Sequence, residues 1–175
     1  MIIFDTETTG LIENEALPLS SQPRILELGV LKVDFALTVL DEFTALIRPD
    51  GYEMTEVINK ITGITQEDLV SKGVAFARAL PGLRRIFLGE DTMLCMNSRF
   101  DQMMLAYELQ RIEQHYRFPW PHVHIDAREM SGGSLQDWAK CLGIESQQRH
   151  RALDDCILLL ECYRKYMADI DKEFK

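Results

Sequence analysis

The chain begins with an apolar run, residues 1–4, and places two carboxylates, Asp5 and Glu7, directly after it. The apolar run predicts a buried strand. Because side chains two residues apart in a strand project from the same face, both carboxylates should face one point at the end of that strand. Buried carboxylates are costly without a partner, so several that converge on one place require a cation there.

Three further polar residues stand close to predicted element boundaries. Asp101 follows a second apolar run, residues 93–96, and precedes an amphipathic stretch, which predicts a position where a strand gives way to a helix. His150 and Asp155 are five residues apart, which is roughly 140° around a helix, so they cannot share one helical stripe. The spacing therefore predicts His150 in a loop or first turn and Asp155 facing inward from the helix.

A site of four carboxylates and one histidine favours a particular chemistry. Carboxylate-dominated ligation suits hard divalent cations such as Mg²⁺ or Mn²⁺, which keep several waters and meet substrate phosphates. Two such ions can activate water on one side of a phosphodiester and stabilise the leaving oxygen on the other. A histidine is a candidate general base because its unperturbed pKa lies close to operating pH. These residues predict a nuclease site: Asp5, Glu7, Asp101, His150 and Asp155.

The order of the motifs, Asp-x-Glu, then Asn-x-x-Phe-Asp, then His-x-Ala-x-x-Asp, resembles that of the DnaQ-like 3'-5' exonucleases, the DEDDh group. Each motif alone is weak, whereas their order, spacing and neighbours together make the match specific. Residues 24–29 resemble the second strand of that group, and residues 61–65 resemble its Gly-Ile-Thr segment. The resemblance extends from residue 1 to about residue 167.

The resemblance assigns roles to individual residues. Two divalent ions, Mg²⁺ or Mn²⁺, would be held by Asp5, Glu7, Asp101 and Asp155. His150 would deprotonate the attacking water. The resemblance also implies a set that contacts the 3'-terminal nucleotide of a strand: Thr8, Leu11, Ile61, Asn97 and Phe100.

Two positions depart from the family pattern. Many members have a histidine just before the Asn-x-x-Phe-Asp motif, where this chain has Met96, and another where it has Thr62. Neither position belongs to the metal-binding set. The departures therefore bear on contact with the terminal nucleotide and on substrate preference, and leave the catalytic assignment intact.

The element pattern predicts one α/β domain over residues 1–175, with residues 169–175 as a frayed C-terminal tail. Residues 24–33 and 38–48 predict an antiparallel hairpin, although its connection lacks glycine and asparagine, and residues 123–126 predict a fifth strand. The resemblance implies a ribonuclease H-like three-layer fold with a five-stranded mixed sheet flanked by helices.

Helix boundaries follow from caps and breakers. Residues 76–88 are amphipathic, but Pro81 suits a first turn better than an interior, so we expect that helix to begin near residue 80. Thr65 and Ser134 have the pattern of N-cap residues. Two further stretches show apolar groups at helical spacing, residues 100–114 and 153–168.

The net charge of -9 argues against tight binding of a polyanion, since such affinity comes from basic patches. Part of this acidity is the proposed metal site, whose charge bound cations would reverse locally. We therefore expect short substrates, or a partner that delivers the strand. The arginines available for phosphates are Arg24, Arg48, Arg84, Arg85, Arg99, Arg149 and Arg151.

Other polar groups have structural interpretations. The cysteines lack the Cys-x-x-Cys spacing of zinc sites and are expected to be free, buried thiols: Cys95, Cys141, Cys156 and Cys162. His122 and His124, two apart on a short strand, are expected to be structural or surface groups. No stretch approaches the roughly 20 apolar residues that span a bilayer, and no signal-peptide pattern is present, so we expect a soluble, cytoplasmic protein without membrane partners.

Motifs and resemblance together predict a metal-dependent 3'-5' exonuclease that releases 5'-mononucleotides from single-stranded DNA, in proofreading or repair, with a polymerase or other replication protein as candidate partner. One alternative is an exoribonuclease or oligoribonuclease of the same superfamily, and no residue decides between the two sugars. Another is a catalytically silent binding module in a replication assembly. Such modules typically lose one or more of the site residues, whereas this chain retains all five.

Overall fold

The computed structural model describes residues 1–173. Its strands are β1 (Ile2–Thr8), β2 (Ile25–Val33), β3 (Val39–Leu46), β4 (Thr92–Cys95) and β5 (Val123–Asp126). Its helices are α1 (Glu56–Thr62), α2 (Gln66–Ser71), α3 (Phe76–Phe87), α4 (Ser98–Arg111), α5 (Ala127–Ser131), α6 (Leu135–Cys141) and α7 (Ala152–Glu173). Short 3-10 turns occupy Leu19–Ser21 and His115–Arg117.

The strands form one mixed sheet in the order β3-β2-β1-β4-β5, with β1 in the centre. The first three strands of the chain pair antiparallel, and β1, β4 and β5 pair parallel. This confirms the predicted hairpin, the predicted fifth strand and the five-stranded mixed sheet. Because parallel strands end at one edge, the segments that follow β1 and β4 meet at the same side of the sheet.

Helices cover both faces of the sheet. Side chains of β1 point alternately to the two faces, so the strand contributes to two separate core layers. Ile2 and Phe4 pack with the apolar residues of α3 and α4, whereas Ile3 packs with those of α6 and α7. The carboxylate end of β1 therefore lies between a layer that contains α4 and a layer that contains α7. This is the predicted three-layer arrangement.

Helix α3 begins at Phe76, so the predicted start near residue 80 is wrong. Pro81 lies inside the helix and cannot donate to the carbonyl oxygen of Ala77. Phe76 and Ala79 are buried in the core, and this burial outweighs one lost hydrogen bond. Tertiary packing thus extends the helix one turn before its proline.

The connection between β2 and β3 turns without glycine or asparagine. The Asp34 carboxylate accepts hydrogen bonds from the backbone N–H groups of Ala36 and Thr38, at 2.9 and 2.8 Å. Leu37 adopts a left-handed backbone with φ of 60°. An aspartate side chain that mimics a backbone turn therefore supplies the turn chemistry the sequence lacked.

The predicted caps are confirmed, since Thr65 and Ser134 form capping boxes with Asp68 and Asp137 at the starts of α2 and α6. Of the four free cysteines, Cys141 is exposed at the end of α6, so its predicted burial is wrong, and the other three are buried. Helix α7 continues through residue 173, and residues 174–175 of the expected tail lie outside the described residues. Across residues 1–173, every helix falls short of the length or apolar character needed to cross a membrane.

Candidate active site

The pairing of β1 with β2 determines which residues lie on the sheet face at the site. Asp5 pairs with Gly29, and Glu7 pairs with Glu27, so these four residues share one face of the sheet. A Cβ atom placed on Gly29 would lie 2.3 Å from the carbonyl carbon of Ala152. The missing side chain lets the first turn of α7 lie directly on the sheet. Glycine at this position therefore permits α7 to pack beside the carboxylates of β1.

Glu7, His150 and Asp155 converge at this face. One ligand atom from each lies within 4.8 Å of those of the other two, a spacing that can hold a metal ion. His150 precedes α7 in a loop, and Asp155 is a buried residue in the first turn of that helix, with 2% of its surface exposed. The arrangement matches the prediction of a loop histidine and an inward-facing helical aspartate.

Asp101 approaches from the opposite layer, in the first turn of α4. It is buried, and its carboxylate accepts a hydrogen bond of 2.8 Å from the hydroxyl of Thr6. The Asp126 carboxylate accepts hydrogen bonds from the N–H and hydroxyl of Ser98, at 3.0 and 3.2 Å, which fixes the start of α4. Asp101 and Asp5 lie outside the closest ligand group, which contains only Glu7, His150 and Asp155 among the described residues.

The four carboxylates lie close enough for charge repulsion, because the charges of Asp101, Glu7 and Asp155 add to burial in raising the pKa of Asp5. Burial, followed by the charge of Asp101, raises the pKa of Asp5 well above its usual range. Burial and the charge of Asp155 raise the pKa of Glu7 to about 8. Burial also raises the pKa of Asp101 to about 7 and is the main cause that raises the pKa of Asp155. Such a cluster lacks sufficient positive charge of its own, and its oxygen ligands fit hard divalent cations.

The loop before α7 is tied to the site. Gln148 donates from its side-chain amide to Asp155 at 2.7 Å, and the backbone N–H of Arg149 donates to the same carboxylate at 3.3 Å. The backbone N–H of Gln148 donates to the Gln136 side chain of α6 at 2.7 Å. Asp155 therefore orients the segment that carries His150.

Two residues that the sequence motifs missed contact the site. Thr6 lies between Asp5 and Glu7 in β1 but projects to the α4 face, where it donates to Asp101. The Glu27 carboxylate, on β2, accepts hydrogen bonds from Nε and Nη2 of Arg151 and from the backbone N–H of Ala152. The available signal for Glu27 was an acidic residue among the apolar residues 25–28, whereas Thr6, between Asp5 and Glu7, carried no comparable signal.

The predicted nucleotide-contacting residues have mixed environments. Leu11 has 78% of its surface exposed and Ile61 has 50%. The Thr8 hydroxyl donates to the carbonyl of Gly10 at 2.9 Å, within the turn after β1. Asn97 caps α4 by accepting from the N–H of Phe100 at 3.4 Å. The contact of these five residues with a nucleotide stays a prediction.

The two departures from the family pattern also have structural contexts. Thr62 is buried, and its hydroxyl donates to the carbonyl of Ile58 at 2.9 Å and accepts from the N–H of Ile64 at 3.1 Å. Thr62 therefore closes the end of α1. Met96 is partly buried and packs against the α6–α7 core layer.

A cavity of about 510 Å³ adjoins the end of β1, and its lining includes Thr9, Gly10 and Leu11. Arg24 and Tyr52 also line it, with the guanidinium carbon of Arg24 5.1 Å from the centre of the Tyr52 ring. The space therefore lies beside Leu11, one of the predicted nucleotide contacts. A second cavity, of about 640 Å³, is lined by residues of β3 and by Glu27.

Metal binding should oppose the pH dependence that the carboxylates impose on stability. Glu7 has a pKa of about 8 in the folded chain against an ordinary value of 4.5. Between these values the folded state binds more protons than the unfolded state, so the metal-free protein loses stability as pH rises. A divalent cation held by these carboxylates would compete with those protons. We expect Mg²⁺ to raise the Tm more at pH 8 than at pH 6, as measured by calorimetry against a chelator.

Glu7→Gln is the control for this experiment, because it removes the titrating group at nearly constant volume. This variant should lose much of the stabilisation by Mg²⁺ and depend less on pH in chelator. An equal rise in Tm at both pH values would contradict the electrostatic account.

Solved structures share this fold at low sequence identity. The nuclease domain of 3'hExo, described as a DEDDh family member bound to rAMP, has a TM-score of 0.74 and 21% identity, over 96% of this chain and 91% of that chain. Exonuclease I from E. coli, in a zinc-bound complex with single-stranded DNA, has a TM-score of 0.79 and 21% identity, over 99% of this chain and 41% of that chain. The fold is ribonuclease H-like.

Curated proteins match over nearly the full chain. DNA polymerase III PolC-type from Thermotoga maritima is 26% identical over 178 residues, which covers 98% of this chain and 12% of that protein. DNA polymerase III subunit epsilon from Aquifex aeolicus is 26% identical over 174 residues, which covers 97% of this chain and 81% of that protein. The chain thus spans about an eighth of the PolC-type relatives (12%) and most of the epsilon subunit (81%).

A family model also matches, the one described as exonuclease, RNase T. The match covers residues 2–163, from the first residue of β1 into α7, and so includes every residue of the carboxylate cluster and His150. Together with the motif order and the shared fold, this match shows that the chain belongs to the DnaQ-like, DEDDh family of 3'-5' exonucleases.

Proposed function

We propose that this chain is a two-metal-ion 3'-5' exonuclease that releases 5'-mononucleotides from the 3' end of single-stranded DNA. The observation that carries the proposal is the convergence of buried carboxylates from β1, α4 and α7 beside a loop histidine. A structural role would not favour this cluster, because burial and the neighbouring carboxylates raise the pKa of Asp5 and Glu7 and so lower the stability of the metal-free fold as pH rises.

The carboxylates of the cluster are the residues that would hold the ions: Asp5, Glu7, Asp101 and Asp155. Two divalent ions, Mg²⁺ or Mn²⁺, would supply an activated water and stabilise the charge on the leaving oxygen. Thr6 holds Asp101 by its hydroxyl, and Gln148 holds Asp155 by its amide. These contacts fix two of the four carboxylates before a substrate arrives.

His150 is the residue that would take the proton from the attacking water. Its ring nitrogen lies within 4.8 Å of oxygen atoms of Glu7 and Asp155, so a water beside those carboxylates is within its reach. The ring sits on a loop rather than on α7.

The substrate assignment draws on the relatives and the similar structures. The curated relatives are DNA polymerase III proteins, and a further similar structure is E. coli exonuclease I with a dT13 oligonucleotide. Leu11 is exposed beside the cavity at the end of β1, where an apolar side chain can pack against a base. These facts support single-stranded DNA as the substrate.

A polymerase or another replication protein is the proposed partner. Most of the arginines that sequence analysis left available for phosphates have acidic partners: Arg24, Arg85, Arg99, Arg149 and Arg151. Together with the net charge of -9, this pairing weakens the attraction of the chain for a long polyanionic strand. A partner that delivers the 3' end would compensate for weak binding by the chain alone.

An exoribonuclease is the second candidate, because one similar structure concerns recognition of a histone mRNA stem-loop by a 3'-exonuclease. The same assay separates the two candidates. DNA and RNA oligonucleotides of one sequence, labelled at the 5' end, would be incubated with Mg²⁺, with Mn²⁺ and with chelator.

We expect a ladder that shortens from the 3' end, faster for DNA, and that disappears with chelator. Faster shortening of RNA would favour the exoribonuclease. Immediate release of a labelled mononucleotide would contradict the proposed polarity. Absence of cleavage on either strand would favour a silent binding module.

A further inference from the structure

Glu27 is a buried carboxylate outside the four proposed metal ligands. It lies on β2 opposite Glu7, with 3% of its surface exposed. The Arg151 guanidinium donates to it from Nε at 2.9 Å and from Nη2 at 2.6 Å. The backbone N–H of Ala152 donates to it at 3.0 Å. Both of its oxygens are therefore occupied by groups at the start of α7.

This carboxylate has an electrostatic cost at the site. Its charge contributes to raising the pKa of both Asp5 and Glu7, so its presence makes the cluster harder to ionise. An apolar residue at this strand position would avoid that repulsion. The contacts with Arg151 and Ala152 are what the glutamate supplies in return.

The segment that Glu27 holds is the one that carries His150. His150 has a φ of 51°, in the left-handed region that a residue with a side chain keeps only when its surroundings fix it. On one side, Gln148 is bound to Gln136 and Asp155. On the other side, Arg151 and Ala152 are bound to Glu27. His150 thus lies between two anchored points.

We propose that Glu27 and Arg151 are positioning residues whose ion pair fixes the backbone next to His150 and so keeps its ring beside Glu7 and Asp155. The inference rests on the proposed function, in which His150 is the general base. The bidentate pair matches the planar guanidinium, which a lysine cannot reproduce. Arg151 was one of the arginines expected to be available for phosphates. Its guanidinium instead binds Glu27 and positions the segment that carries His150.

The test measures kcat and KM for cleavage of a single-stranded DNA oligonucleotide by Glu27→Gln and Arg151→Gln. Gln at position 27 still accepts from Ala152 but loses the charge-assisted pair. Misplacement of a catalytic group by about 1 Å can cost on the order of 10²-fold in rate, so we expect kcat to fall by about 10- to 100-fold in each variant. KM should change little, because the ion pair lies away from the residues assigned to the nucleotide, and stabilisation by Mg²⁺ should persist, because all four carboxylate ligands remain in the chain.

A variant that already lacks the base distinguishes a positioning role of Glu27 from a general loss of structure. In a His150→Asn chain the base is already absent, so adding Glu27→Gln should change the residual rate by less than about 2-fold. An equal loss in both backgrounds would assign Glu27 a purely structural role and overturn the inference. If Glu27→Gln does not fold, the more exposed Arg151→Gln provides the same comparison.

Glu90→Gln is the matched control. Glu90 pairs with Lys32 at 2.6 Å and with the N-terminus, at the opposite end of β1. Its replacement removes an ion pair but leaves the His150 segment intact, so kcat should stay within about 2-fold of the original. An inactive original chain would overturn the proposed function, whereas an active chain with unchanged Glu27→Gln turnover would overturn this inference alone.

Discussion

Asp155→Ala should reduce metal-dependent cleavage of single-stranded DNA by about 10³-fold or more while the protein stays folded. Asp155 is buried in the group of ligand atoms that it forms with Glu7 and His150. Alanine removes a carboxylate that would bind the ions and leaves a smaller negative charge at the site. The measurement is the time course of 3'-end shortening in Mg²⁺, with Tm as the test of folding.

Folding should survive this change for an electrostatic reason. The Asp155 charge raises the pKa of Glu7, so its removal relieves repulsion. The opposing loss is two hydrogen bonds, from Gln148 and from the N–H of Arg149. We therefore expect a small change in Tm in chelator and a loss of the stabilisation by Mg²⁺.

Asp154→Ala is the matched control, since it removes a neighbouring carboxylate from the same helical turn. Asp154 is a partly exposed residue whose oxygen lies 3.6 Å from the Arg149 guanidinium. Its replacement should leave cleavage nearly unchanged. Unimpaired turnover by Asp155→Ala would remove Asp155 from the site and, with it, the proposed ligand set.

His150→Asn should slow cleavage by roughly 10²- to 10⁴-fold, the usual contribution of a general base. Asparagine is chosen because it tolerates the left-handed backbone that His150 adopts, with φ of 51°, whereas alanine would add backbone strain. The Glu7 and Asp155 carboxylates remain in place. Stabilisation by Mg²⁺ should therefore persist while kcat falls, which calorimetry and a steady-state assay would measure together.

His122→Ala controls for the loss of a histidine elsewhere, because His122 is exposed and precedes β5. Turnover by that variant should match the original. Near-normal turnover by His150→Asn would assign the proton transfer to another group. Loss of both turnover and stabilisation by Mg²⁺ would instead indicate that the His150 ring itself holds an ion, which the spacing to Glu7 and Asp155 permits.

Local patterns in the sequence determined much of this protein. The apolar run before Asp5 and Glu7 predicted β1, and alternation along a strand predicted that both carboxylates share a face. The five-residue separation of His150 and Asp155 predicted a loop and a helix, as observed. These inferences succeed because strand and helix periodicity depend only on neighbouring residues, and because the motif order specified the family.

Only the tertiary structure decided which residues support those groups. Glu27 and Arg151 are 124 residues apart, and no local pattern connects them. The sequence predicted Gly29 only as one residue of a strand. In the fold, the absence of a side chain at this position allows α7 to pack against the sheet. Likewise, burial against the core started α3 before Pro81. Packing and pairing across the chain depend on which surfaces meet, and a residue's partner is set by the fold rather than by its neighbours in sequence.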